Sequence, residues 1–435
     1  MKRKKDITNS LHMRKKAEKL IPSCSQTFSK SPSQFVQNVA PVFLDRGSGS
    51  RVWDVDGNEY IDHILALGPV ILGYAYPAVD EAIKEQIKKG ISFSLPHSLE
   101  LEVAEMLVDL IPCAEMVRYG KNGSDVTTGA IRVARAYTGR DKVAVCGYHG
   151  WHDWYIALTT RDSGVPSFNK DLSYKFSYND IESLEKIFSE NANEIAVVIM
   201  EGICFDEPQD GFLKKVRDLS RKNGSLLIFD EIINGFRIAL GGAHELYGID
   251  VDMATFGKAI ANGMPLSAVV GKKEIMKLFD DVFYSFTFGG ETLSLAAAKA
   301  TLEEFRKKPV IRHIAEKGKR IKAEIGKLIE KHGLSDMMCY RGLDAHAGLK
   351  FNEIEPDGPQ WVKSLYQQEM IANGILTFGA SNLSYSHSDE DINRTVEATD
   401  KAFEKIRKAK DNGNSGAAYE ELLESDPIYP IFTVR

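Results

Sequence analysis

Leu226-Leu227-Ile228-Phe229-Asp230-Glu231 and, further on, Thr255-Phe256-Gly257-Lys258-Ala259-Ile260-Ala261-Asn262-Gly263 are the stretches that decide the fold. The first is an unbroken apolar run ending in acids. Such a run, lacking the alternation of a half-solvated strand, predicts a parallel strand buried on both faces with a carboxylate at its C-terminal tip. Lys258 follows Asp230 by 28 residues, bracketed by glycines and preceded by a second short strand-like run. Successive strand side chains point to opposite faces, so Asp230 and Glu231 cannot converge on one bond as a glycosidase pair must. An acid at one tip and a lysine soon after is instead the pairing that pyridoxal 5'-phosphate (PLP) chemistry needs. The amine forms a Schiff base with the cofactor aldehyde, and the carboxylate keeps the pyridine nitrogen protonated so that the ring accepts electrons.

Short β-rich runs recur outward from this pair, at Lys142–Cys146, Ile195–Met200, Met253–Phe256 and Ala268–Gly271, with charged helical stretches between several of them. The alternation predicts an α/β large domain over residues 76–306, a mostly parallel sheet covered by helices on both faces. Residues 1–75 read as an N-terminal arm and hairpin segment. A basic amphipathic helix runs to about residue 20 and ends near Pro22, and Arg51–Asp62 forms a hairpin turning at Asp56-Gly57. From 307 to 435, charged helices around Glu316–His332 and Ser388–Lys410 enclose strand-like stretches at Ala347–Phe351 and Leu383–Ser386. These predict a smaller α+β C-terminal domain, followed by a short helix and an apolar tail, Pro427–Val434.

Bulk composition narrows the class. The chain has 435 residues, too many for one ordinary core, and its 43% hydrophobic and 27% charged content is that of a globular enzyme. A net charge of −6 gives no electrostatic case for nucleic acid. No apolar run is long enough to span a membrane, and the basic start lacks the apolar segment of a signal peptide. Cys24, Cys113, Cys146, Cys204 and Cys339 show no paired spacing, the pattern of reduced thiols in a cytoplasmic protein.

Asn122-Gly123-Ser124-Asp125 precedes a helical pattern at Thr128–Tyr137, so Gly123 and Ser124 either present backbone N–H groups to a phosphate or simply cap the helix. No dinucleotide or P-loop signature is present. His149, His152 and Asp153 lie close in sequence but have no second ligand motif, and no metal is expected.

Asp230-Glu231-Ile232-Ile233-Asn234-Gly235-Phe236-Arg237 with Phe256-Gly257-Lys258 resembles the cofactor signature of class III PLP-dependent aminotransferases, nearest their glutamate-1-semialdehyde aminomutase branch. The similarity runs from about Ile21 to Phe403. It implies a fold-type I PLP transferase in which Lys258, Asp230 and Tyr148 are catalytic, with Tyr148 stacked on the pyridine ring and Gly150 letting the chain pass close. Gly123 and Ser124 match the family's phosphate loop, and His149 and Glu201 fall among its cofactor-binding positions, although Gly202 replaces the usual proline. Thr287, in Ser285-Phe286-Thr287-Phe288-Gly289-Gly290-Glu291, matches a threonine that reaches the phosphate bound in a neighbouring subunit. A homodimer with shared active sites follows from that match.

The implied activity is ping-pong transfer of an amino group from an amino donor to a carbonyl acceptor through Lys258. Intramolecular transfer by an aminomutase is the alternative, and a PLP-dependent decarboxylase or racemase is also open. Intact Lys258, Asp230 and Tyr148 oppose a cofactor-less relative. The resemblance thins at the substrate: Lys30 stands where the aminomutase has a carboxylate-clamping arginine, and Gly379 where it has a glutamate. An ammonium lacks the guanidinium's bidentate fork, so a larger or less acidic substrate is expected.

Overall fold

The computed structural model describes residues 5–203, 205–352 and 358–430. The chain divides into two compact units: one holds the described residues of Met1–Leu67, Leu72–Tyr76 and Arg312–Ile431, the other those of Gly68–Ile71 and Pro77–Ile311. The described residues up to Leu67 thus share a unit with the C-terminal part, where the sequence suggests a separate arm, because a strand from each end pairs in one sheet. The N-terminal helix begins at Thr8 and ends at Leu20. After it, β1 (Leu44–Ser48), β2 (Arg51–Asp54) and β3 (Glu59–Asp62) form an antiparallel meander. Asp54 shapes the expected hairpin by accepting from the backbone N–H groups of Asp56 and Asn58, at 3.0 and 2.8 Å, while Gly57 takes a φ of +83°.

The second unit is built on β4 (Met116–Gly120), β5 (Lys142–Cys146), β6 (Ser173–Lys175), β7 (Ile195–Met200), β8 (Leu226–Asp230), β9 (Met253–Phe256) and β10 (Ser267–Gly271). They make one seven-stranded sheet in the order β4-β10-β9-β8-β7-β5-β6. Only β10 runs against its neighbours; every other strand is parallel to the rest. Each residue of β7, β8 and β10 is buried, as their continuous apolar runs require. The helix Gly123–Thr138 lays Val126, Ala130, Val133 and Ala134 into a cluster with Val143, Val145, Val197, Ile199 and Ile228. Each fully buried valine or isoleucine there contributes on the order of 1.5–3 kcal/mol.

In the first unit, β11 (Met338–Leu343), β12 (His346–Phe351) and β14 (Ala380–Asn382) form an antiparallel sheet, and β13 (Ile375–Leu376) joins β3 in parallel, Ile375 opposite Ile61. The long helices are Val310–Lys331 and Asp389–Asp411. Leu383–Ser386, which reads as a strand, is a turn: His387 Nδ1 lies 3.0 Å from Ser384 Oγ and accepts the Ser384 N–H at 3.1 Å, and Ser386 Oγ donates to the Leu72 carbonyl at 2.6 Å. Local side-chain bonds of this kind compete with a ladder. A helix at Gly416–Glu420 follows as expected, and the last residues of the apolar tail lie outside the described residues.

Strand register positions the site. Cys146 lies opposite Met200, Met200 opposite Phe229, and Asp230 opposite Thr255. The carboxyl ends of β5, β7, β8 and β9 are therefore level, and the residues that follow them emerge at one end of the sheet, where open α/β sheets bind ligands.

Candidate active site

Asp230 is the last residue of β8 and is buried. Its Oδ1 accepts from the Ile232 backbone N–H at 3.1 Å and from Thr255 Oγ1 at 3.3 Å, and its Oδ2 lies 2.7 Å from His149 Nδ1. The opposite ring nitrogen, Nε2, lies 3.0 Å from the Cys146 carbonyl, which can only accept. Nε2 therefore carries a hydrogen, and Nδ1 and the carboxylate share a further one between them. His149, expected among the cofactor contacts, is thus the group that orients Asp230. Glu231 points the other way: it accepts from the Ala243 and His244 backbone N–H groups at 2.9 Å each, so the two adjacent acids serve opposite faces of the sheet.

Lys258 opens a short 3-10 turn beyond β9, after Gly257, with a φ of +41°. A left-handed lysine stores on the order of 1–3 kcal/mol of strain, which the surroundings must hold. Burial lowers its amine below the ordinary lysine value. The carboxylates of Glu201 and Asp230 act in the opposite direction, and the Arg237 guanidinium adds to the lowering. Glu201 follows β7, with its carboxylate turned toward the Tyr148 backbone N–H, 3.4 Å away. A Cβ on Gly147 would lie 2.6 Å from that carboxylate, so Glu201 packs directly against the tyrosine loop.

Tyr148 is 49% exposed, so a ring face is open to a ligand. Its ring meets Tyr155 edge-on at 5.4 Å between centroids, and burial and the charge of Asp230 raise its phenol above the ordinary value, keeping it neutral. The tyrosine loop is bound to the helix Gly123–Thr138: Ser124 Oγ accepts from the Trp151 N–H at 3.1 Å, and Thr127 Oγ1 donates to the His149 carbonyl at 3.0 Å. Gly150, at φ +102°, fits there because any Cβ would run into Ser124 Oγ. At the mouth of that helix Asp125 accepts from the Lys121 and Asn122 N–H groups, at 3.0 and 2.7 Å. The N–H groups of Gly123 and Ser124 begin the first turn, where no intrahelical acceptor exists. Gly123 packs closely on Ile232: a Cβ there would lie 2.7 Å from Ile232 Cδ1, so the isoleucine tip would have to move.

The structure brings Lys258, Asp230, His149, Tyr148, Glu201, Gly123 and Ser124 into the second unit. Thr287 lies there too, in an exposed turn flanked by Phe286 and Phe288. Lys30 belongs to the first unit, at the exposed end of the turn Phe28–Lys30, where its charge favours the ionised form of buried Asp62. Thr255 carries no local signal of its role, and Arg237, although it closes the Asp230–Arg237 signature, carries none of its burial. Arg237 is nevertheless 1% exposed and donates to the Gly68 carbonyl at 3.0 Å. His149 and His152 are both engaged, His152 Nδ1 lying 2.7 Å from Thr128 Oγ1, and no cluster among the described residues could hold a metal ion. The donor set suits PLP: a carboxylate for a pyridinium, an amine for an aldehyde, and a helix mouth with a hydroxyl for a phosphate.

The family model for class-III aminotransferases matches residues 33–384, and the chain belongs to that family. A 3-aminobutyryl-CoA aminotransferase of Cloacimonas acidaminovorans (strain Evry) is 38% identical over 418 residues, covering 94% of this chain and all of the relative. A glutamate-1-semialdehyde 2,1-aminomutase of Natranaerobius thermophilus is 34% identical over 408 residues, 86% of this chain and 94% of the relative. Among solved structures, the FumI protein of Sphingopyxis sp. MTA144, in a PLP form, superimposes with a TM-score of 0.86 at 28% identity, covering 92% of this chain and 96% of that one. The fold is that of the fold-type I PLP transaminases.

Proposed function

We propose that this chain is a PLP-dependent aminotransferase that moves an amino group from a small-molecule donor to a carbonyl acceptor, with Lys258 as covalent anchor and base. The observation that carries the reading is the placement of a lysine with a lowered pKa and a clamped carboxylate at level ends of adjacent parallel strands. When bound, PLP supplies an electron sink that lets the C–H bond beside a substrate amine break. Lys258, freed from its covalent role, would take that proton at Nζ and pass it to the cofactor rather than back to the substrate, so that the nitrogen stays behind for the carbonyl acceptor. Asp230 holds a proton on the pyridine nitrogen, and His149 and Thr255 fix the carboxylate's direction. Tyr148 stacks on the ring, Gly123 and Ser124 hold the phosphate, and Glu201 braces the tyrosine loop. The test is direct: purified protein should be yellow, borohydride should fix the colour on Lys258, and a productive amino donor should bleach it. Colourless protein after incubation with PLP would overturn the proposal.

The active unit in this reading is a cytoplasmic homodimer, Thr287 serving the partner's phosphate. Phe283 and Phe288, near it in sequence, are 79% and 60% exposed, the apolar surface that a second copy would cover. Lys258→Ala and Thr287→Asp proteins, each inactive alone, should therefore regain activity on mixing, since one site of each hybrid dimer is intact. A fully active monomer in sedimentation would refute this arrangement.

Lys30 and Gly379 favour intermolecular transfer over the aminomutase alternative. Replacing a bidentate guanidinium by an ammonium costs on the order of 1–3 kcal/mol of substrate binding, roughly ten- to a hundredfold. Glutamate-1-semialdehyde should be a poor substrate, and 3-aminobutyryl-CoA, the compound in one relative's name, heads the donor screen. Conversion of the semialdehyde to 5-aminolevulinate above about 10⁴ M⁻¹s⁻¹ would restore the aminomutase reading.

A further inference from the structure

Arg237 is one of the largest fully buried side chains in the protein, and it lies beside Lys258. Its Nη2 donates to the Gly68 carbonyl at 3.0 Å. Gly68, at φ +98°, sits between the two cations: a Cβ built there would stand 3.9 Å from Arg237 Nη2 and 3.9 Å from Lys258 Cδ. Desolvating a guanidinium costs several kcal/mol, and a charge buried this close to the lysine acts on it with little screening by water.

The influences on the lysine amine oppose one another. Burial disfavours a proton on Lys258; Glu201, after β7, and Asp230, at the tip of β8, favour one, and Arg237 adds to burial in opposing them. Burial lowers the pKa of Arg237 only to about 10, so it stays charged through the neutral range. Each loss of opposition to the two carboxylates shifts the lysine toward an ammonium, which has no lone pair with which to attack a carbonyl carbon or accept a proton.

We propose that Arg237 is a positioning residue for Lys258: it fixes the Gly68 turn against the lysine stem and offsets the field of Glu201 and Asp230, leaving the amine unprotonated and nucleophilic. This rests on Lys258 being the cofactor lysine. The experiment is a pH titration of the yellow absorbance band of the holoenzyme, with borohydride trapping and peptide mapping to locate the cofactor. In Arg237→Gln the midpoint should move up by about one pH unit, a tenfold change in the ratio of the two forms. In Glu201→Gln it should move down. Opposite signs are the signature of charge, since a general loosening would shift both variants the same way. Arg237→Met tests the same loss of charge should the glutamine variant not fold. A midpoint unmoved by loss of the arginine, or moved in the same direction in both variants, overturns the inference while the cofactor stays mapped to Lys258. A cofactor mapped to another lysine overturns this inference and the assignment of Lys258 together.

Discussion

Lys258→Ala is expected to lose several orders of magnitude of turnover while keeping its fold. In the proposed mechanism the variant removes both the covalent anchor and the base that moves the substrate proton, and general-base catalysis alone contributes roughly 10²–10⁴-fold. Stability should not suffer in proportion. The lysine stands at φ +41° in a short turn, where an alanine is strained no more than the lysine, and the neighbouring Ala259, Ile260 and Ala261 carry the packing. Steady-state assay with the best donor, beside a thermal melt, checks both halves. More than about a tenth of the wild-type rate would show that the base is another group.

Asp230→Ala should be the second most damaging change. In the proposed mechanism the carboxylate would keep the pyridine nitrogen protonated, and without it the ring would draw electrons weakly. The loss has a structural side too. His149 is buried between Asp230 and the Cys146 carbonyl, so removing the acid leaves a buried ring nitrogen without its acceptor, at a cost of about 1–3 kcal/mol. The variant is therefore expected to be both nearly inactive and measurably less stable, which distinguishes it from Lys258→Ala. An unchanged rate would mean that a different group supports the ring.

The parallel centre of the sheet was legible because burial on both faces leaves no choice but continuous apolar runs. β5, β7, β8 and β9 have the bounds the sequence suggests, and β10 differs by one residue. The edge strands were not. β4 carries Arg118 and Tyr119 on a half-buried edge, and β6 is three residues long, so neither shows a period. Leu383–Ser386 alternates like a strand, yet the Ser384 and His387 side chains turn it. Within the site, Asp230 and Lys258 stand out because each ends or follows a strand. The burial of Arg237 does not: the arginine closes the Asp230–Arg237 signature, but its acceptor, Gly68, is 169 residues away.

The clamp between the tyrosine loop and the helix Gly123–Thr138 has a consequence for how such an enzyme can diversify. Ser124 holds the Trp151 N–H, Thr127 holds the His149 carbonyl, and Gly150 leaves no slack between them. The segment that presents an aromatic face and the segment offered to a phosphate are thus a single mechanical part. A substitution that tilts one tilts the other, so in the proposed reading the tightness of cofactor retention and the orientation of the ring would not drift separately under mutation.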